Sequence, residues 1–136
     1  MVPLRGISLL SVNDYGCNVG HFYRGVENIA CAVDYRGFDI SDTYLSIARQ
    51  HFHHGDFYHL DIEQDLQSNS VPQCDVAVIS ATPEHIDNYV QALSNILSRT
   101  NDLVIIRTFV GDLPLEDRCR TIGAQSDFLF RPFSVA

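Results

Sequence analysis

An apolar run, Ile7 to Val12, gives way to Asp14-Tyr15-Gly16-Cys17-Asn18-Val19-Gly20 and then to a second strand-like segment that ends at Asp39. A strand, a glycine-bearing turn and an acid at the tip of the next strand together read as the nucleoside-binding half of an α/β sheet. In that arrangement the glycines let backbone N–H groups approach the ligand, and the carboxylate on the second strand accepts both ribose hydroxyls. The dinucleotide fingerprint G-x-G-x-x-G is absent, because Asn18 stands two residues after Gly16. Asn still tolerates the left-handed backbone that such a loop residue needs.

Strand and helix patterns alternate along the chain, which implies a mostly parallel sheet of about five strands with right-handed crossovers and helices on both faces. Strands are expected at 7–13, 35–40, 56–61, 75–80 and 103–109. The run Asp75 to Ser80 suits a central strand buried on both faces. A first helix over about residues 20–30 would bury Phe22, Val26, Ile29 and Ala30. A second, capped by Ser41, repeats Tyr44, Leu45, Ala48 and Phe52 on one face. A third is expected from about Ile86 to Leu97, a weaker one from Leu115 to Thr121, and a short extended segment at Phe128-Leu129-Phe130.

Composition narrows the chemistry. With 136 residues, 46% of them hydrophobic, the chain suits one domain able to bury its own core. All nine basic residues are arginine, so no Walker A ammonium, Schiff-base lysine or Tyr-x-x-x-Lys pair is available. A net charge of −8 argues against a nucleic-acid partner. No apolar segment approaches the roughly 20 residues that span a bilayer, so no membrane association and a cytoplasmic location are expected. Cys17, Cys31, Cys74 and Cys119 show no C-x-x-C spacing and fit reduced thiols. His51, His53, His54 and His59 cluster in sequence, but an exposed turn explains them better than a metal, and none is expected.

The segment Asp-x-Gly-Cys-x-x-Gly followed by Tyr35-Arg36-Gly37-Phe38-Asp39-Ile40-Ser41 resembles the first two motifs of class I S-adenosylmethionine-dependent methyltransferases, and the resemblance extends to about Ser134. It implies a Rossmann-like three-layer αβα fold and S-adenosylmethionine as cofactor, with S-adenosylhomocysteine as product. It also implies a further helix and an antiparallel strand pair beyond strand five, so the C-terminal part of the fold is expected to be lacking. An uncovered sheet edge would then favour a homodimer.

By that resemblance Asp14 and the loop through Gly16, Cys17, Asn18 and Gly20 hold the methionine end of the cofactor. Asp39 matches the ribose-binding acid, with Ile40 beside it. Asp61 resembles the acid that accepts from the adenine amino group, Ile62 the apolar residue by the ring, and Ser80 and Ala81 the backbone lining the methionine portion. His85, in Ala81-Thr82-Pro83-Glu84-His85-Ile86, stands where a general base would serve a hydroxyl or amine acceptor. Simpler readings stay open: turn packing for Gly16 and Gly20, helix capping for Asp39, a plain loop acid for Asp61 with Asp56 as its rival, soft packing for Cys17, and helix N-terminal packing around His85, with Glu84 favoured by the helix dipole.

The implied reaction is an in-line attack of a small-molecule acceptor on the methyl carbon, for which the protein supplies orientation and exclusion of water. A catalytically silent nucleoside-binding module is the second reading, and an NAD-dependent reductase a distant third.

Overall fold

The computed structural model describes residues 9–28, 33–111, 117–119, 128–130 and 133–134. Its elements in chain order are β1 (Leu10–Tyr15), α1 (His21–Glu27), β2 (Val33–Asp39), α2 (Asp42–His51), β3 (Asp56–His59), β4 (Cys74–Ser80), a 3-10 turn (Pro83–His85), α3 (Tyr89–Ser98) and β5 (Thr100–Arg107). Short strands β6 (Val110–Gly111), β7 (Asp117–Cys119), β8 (Phe128–Phe130) and β9 (Phe133–Ser134) follow. The main sheet has the order β3-β2-β1-β4-β5, and every pairing in it is parallel. Strand order reverses at β1, with β2 on one side and β4 on the other, which opens a crevice at the carboxyl ends of the strands.

Period-two alternation along the strands separates two cores, one on each face of the sheet. On one face Val12, Tyr35, Phe57 and Val78 pack with Tyr23 of α1 and with Leu45 and Ala48 of α2. On the other, Tyr15, Phe38, Ala77 and Ile79 pack with Ala92 and Ile96 of α3. Adjacent β4 residues enter opposite cores, and each fully buried aliphatic side chain contributes about 1.5–3 kcal/mol. The result is the three-layer αβα architecture that the alternation implied.

The element boundaries differ from the sequence expectation in ways that have local causes. α1 begins at His21, and its buried residue is Tyr23, not Phe22, which is 38% exposed. Residues 29 and 30 lie outside the described residues. α2 is capped as expected, Ser41 Oγ accepting from the Tyr44 N–H at 3.3 Å, but Tyr44 turns outward. α3 starts later than Ile86 because Asn88 Oδ1 caps it by accepting from the Gln91 N–H at 3.1 Å. Pro83 opens a separate 3-10 turn ahead of it, and Ile86 is extended. β3 stops at His59, which leaves Asp61 and Ile62 in the turn beyond it. β5 runs from Thr100 through the Asn101-Asp102 pair and ends at Arg107. Inside the span 115–121 the described residues Asp117–Cys119 form a strand antiparallel to Phe128–Phe130, not a helix. The extended reading of Phe128–Phe130 agrees with that pairing.

Candidate functional site

β1 carries Asp14 to the crevice, and the chain then turns with positive φ at Gly16 (75°), Asn18 (53°) and Gly20 (89°). A Cβ at Gly16 would lie 2.1 Å from Thr82 Oγ1, so the turn presses directly on the segment after β4 and only glycine fits. At Gly20 a Cβ would meet the Phe52 ring at 2.7 Å, which places this glycine against the α2 end and not in the crevice. Asn18 adopts the left-handed conformation that its side-chain type tolerates.

Every backbone N–H from residue 16 to residue 20 already has a protein acceptor. Gly16 and Cys17 both donate to the Phe38 carbonyl, at 2.7 and 3.0 Å, and Gly20 donates to the Cys17 carbonyl at 3.0 Å. Asn18 donates to Asp39 Oδ2 at 2.9 Å, and Val19 to Asn18 Oδ1 at 2.7 Å. The expectation that the glycines free N–H groups for the ligand is corrected here: the turn is stitched to the end of β2 and offers no anion-binding nest.

Three acids stand at successive strand ends. Asp39 holds both flanks of the crevice, Oδ2 on the Asn18 N–H and Oδ1 on the Ser41 N–H at 2.9 Å. A carboxylate has about four lone-pair sites, so each oxygen keeps acceptor capacity. Asp61 Oδ1 accepts from the Glu63 N–H at 3.0 Å. Its turn is pinned by Asn95 of α3, whose Nδ2 donates to the carbonyls of Ile62 (3.0 Å) and Gln64 (2.8 Å). Asp14 is 2% exposed, and Oδ2 accepts from the Tyr35 hydroxyl at 2.7 Å. Burial pushes its pKa up to about 6, opposed by the Tyr35 hydrogen bond and assisted by the Asp39 charge. Burial, reinforced by Asp14 and Asp39, also raises the Cys17 thiol, and the side chain packs at 3% exposure.

Across the crevice the end of β4 is stitched to β5. The Ala81 N–H donates to the Arg107 carbonyl at 2.8 Å, and Arg107 Nε donates to Ser80 Oγ at 2.8 Å. Ala81 itself has φ 51°, a strained value for a side-chain-bearing residue. His85 is exposed on the following 3-10 turn. Glu84 is not a surface acid beside a helix end: it is fully buried, with Oε2 accepting from the Thr108 hydroxyl at 2.7 Å and Oε1 without a hydrogen-bond partner among the described residues. A cleft of about 910 Å³ joins these strand ends and is lined by Asp14, Gly16, Cys17, Asn18, Asp39, Ile40, Asp61, Ile62, Ser80, Ala81 and His85. Of the residues singled out in the sequence, Gly20 does not line it.

Residues 13–101 match the family model described as a methyltransferase domain. The chain belongs to the class I methyltransferase family. Comparison with functionally curated proteins gives no significant match. Among solved structures, the plantazolicin methyltransferase BpumL in complex with a desmethylPZN analog and SAH is 21% identical, with TM-score 0.63 over 71% of this chain and 38% of that one. The magnesium protoporphyrin IX methyltransferase ChlM from Synechocystis PCC 6803 with bound SAH is 21% identical, with TM-score 0.61 over 72% of this chain and 46% of that one. The [4+2]-cyclase SpnF is 21% identical, with TM-score 0.60 over 71% of this chain and 38% of that one. The chain thus spans less than half the length of each of these three, and at such identity the likeness shows the fold.

Within this methyltransferase domain the cleft has lining residues that the sequence reading missed. Phe22 and Tyr44 were assigned to buried helix faces, yet both line the cleft with His21, Glu63, Thr82, Asp87 and Arg107. Arg107 was recoverable, since extending the strand-end rule to a fifth strand reaches it. Thr82 carried no signal of its own; it emerges from the space that Gly16 leaves. Among the described residues no group of three His, Cys, Asp or Glu side chains converges as metal ligands, and no helix is long and apolar enough to cross a membrane. His59 of the histidine-rich segment pairs instead with Asp42, Nδ1 to Oδ1 at 3.0 Å.

Proposed function

We propose that the cleft binds S-adenosylmethionine and that the domain directs its methyl group to a small-molecule acceptor, leaving S-adenosylhomocysteine. The observation that carries this reading is the full internal pairing of the N–H groups of residues 16–20 beside an Asp39 carboxylate that keeps acceptor capacity. A dinucleotide needs free N–H groups for its pyrophosphate, whereas a phosphate-free nucleoside needs acceptors for its hydroxyls and ammonium. The cleft volume, about 910 Å³, lies in the range that accommodates a ligand of this size.

The residues divide the work. Asp39 accepts from the ribose hydroxyls, with Ile40 alongside, while Asp61 accepts from the adenine amino group and Ile62 packs on the ring. Asp14, Gly16, Cys17 and Asn18 form the wall for the amino-acid tail, where the Asp14 carboxylate complements an ammonium, and Ser80 and Ala81 line its other side. Gly20 acts indirectly, by seating α1 against Phe52. When bound, the cofactor supplies a methyl group activated by a sulfonium. The chain orients the acceptor and excludes water, and His85 takes the proton of a hydroxyl or amine acceptor.

Titration calorimetry with S-adenosylhomocysteine and NADH tests the reading: the first binds, the second does not, and Asp39→Ala removes the signal. Binding of NADH alone would overturn it. A second reading, a nucleoside-binding module without methyl transfer, uses the same cleft and differs only in turnover. Transfer of labelled methyl groups to a panel of small acceptors separates the two. We also propose that β5, an edge of the main sheet among the described residues with Leu103, Ile105 and Ile106 exposed, mediates a homodimer in solution.

A further inference from the structure

Among the described residues the cleft is lined by five carboxylates, Asp14, Asp39, Asp61, Glu63 and Asp87, and by one arginine. Arg107 sits at the end of β5, in register with Ser80, and its Nε is held by Ser80 Oγ at 2.8 Å. Its carbonyl holds the strained Ala81 through the 2.8 Å bond from the Ala81 N–H, so both ends of the residue are tied to the strand-four corner. Among the described residues no carboxylate pairs with its guanidinium. With Nε engaged, the two Nη groups remain, and their parallel N–H bonds match the two oxygens of a carboxylate. The anchoring places the guanidinium at the end of β4, the strand that pairs with β1 on its other side.

We infer that Arg107 is the recognition group for a carboxylate carried by the methyl acceptor, which makes the acceptor an organic acid. This deepens the methyltransferase reading and rests on it. Net charge is negative and carboxylates outnumber arginine among the described lining residues, so Arg107 is the guanidinium to which an anion in this crevice is drawn. The pull of Arg107 therefore fixes orientation as well as charge class: the acid end lies at β5, and the rest of the acceptor extends over Ala81, Thr82 and Ile86 towards His85. The other source of a carboxylate is the amino-acid tail of the cofactor itself, and the two are separable.

The test uses the full chain saturated with S-adenosylhomocysteine, titrated with benzoate and with its neutral isostere benzamide, following the arginine Nε–Hε resonances, with Arg107→Gln supplying the assignment. Benzoate should shift the Arg107 resonance saturably, at least tenfold more tightly than benzamide, and Ser80→Ala should weaken benzoate severalfold. Arg107→Gln should retain its S-adenosylhomocysteine affinity within about twofold, which also shows that the variant is folded. Equal response to benzoate and benzamide, or none, overturns the inference. So does loss of the benzoate response on adding S-adenosylhomocysteine together with a tenfold weaker cofactor affinity in Arg107→Gln, which would give the corner to the cofactor tail. If S-adenosylhomocysteine does not bind the parent chain, the function proposal fails, and the benzoate arm on the ligand-free chain still decides the role of Arg107.

Discussion

Asp14→Asn should make the ligand-free chain more stable at neutral pH. Asp14 is 2% exposed, and its pKa is raised from 3.8 to about 6, chiefly by burial. The folded state therefore holds the proton more tightly than the unfolded state does. The favourable contribution of the protonated carboxyl is complete below the unfolded value and is lost as pH rises through about 6. Above that the folded chain carries an ionised buried acid, and a difference of about two pH units at about 1.4 kcal/mol each amounts to about 3 kcal/mol. Asn cannot ionise and still offers an oxygen to the Tyr35 hydroxyl, which now donates at 2.7 Å to Oδ2.

Thermal unfolding by circular dichroism, run on both chains from about pH 4 to pH 8, reads the effect. The two melting temperatures should coincide at the acid end, and the Asp14→Asn chain should lead by about 10 °C at the alkaline end. Under the proposed function the same substitution weakens S-adenosylhomocysteine, because the charge that destabilises the empty fold is the one that complements the ligand ammonium. Parent affinity should in turn fall as pH drops below about 6. A variant less stable than the parent at every pH, or a gap that does not vary with pH, would refute the burial argument.

Tyr35→Phe removes the hydrogen bond that lowers the Asp14 pKa, so it should destabilise by about 1–3 kcal/mol at about pH 8 and by less at about pH 4, read from denaturant midpoints. Gly16→Ala sets a side chain at φ 75° and 2.1 Å from Thr82 Oγ1; a loss of about 3 kcal/mol is expected, of which Thr82→Gly restores the steric part alone. Asp39→Asn should behave almost as badly as Asp39→Ala in calorimetry with S-adenosylhomocysteine, since an amide oxygen serves only one of the two N–H donors, Asn18 and Ser41. Ile105→Lys, at a position 44% exposed on β5, should abolish any concentration-dependent association seen by sedimentation velocity.

The sheet was legible because its strands carry the period-two and continuous apolar patterns that burial demands. Val78 and Ile79 enter opposite cores, as a strand covered on both faces requires. Helix faces were read less well. Phe22 and Tyr44 satisfy a helical apolar spacing, but α1 and α2 begin at the crevice, so their first-turn aromatics line the cleft instead of meeting the sheet. The start of α3 followed a cap, Asn88, that periodicity alone cannot weigh against Ile86. Strand-end placement of the acids was visible because each closes an apolar run. What they bond to was not: Asn18 with Asp39 and Asn95 with Ile62 are tertiary pairings that local sequence does not encode.

Helix capping and ribose binding compete as readings of Asp39, and in the structure Ser41 Oγ caps α2 while Asp39 braces that cap residue through its N–H. The bonds from the Ser41 and Asn18 N–H groups hold one oxygen of the carboxylate each, so its orientation is set before any ligand arrives. A free aspartate would lose side-chain entropy on binding, of the order of 1 kcal/mol. Here that ordering happens on folding. The closed turn at residues 16–20 fits the same logic: an N–H nest would keep its donors open for an anion, whereas here the Asn18 donor holds the Asp39 acceptor still and the other four close the turn. Ligand class thus follows from where the N–H groups go. Under the proposed function, a glycine-bearing turn whose donors are engaged within the protein suits a nucleoside with hydroxyls and a positive tail better than a pyrophosphate.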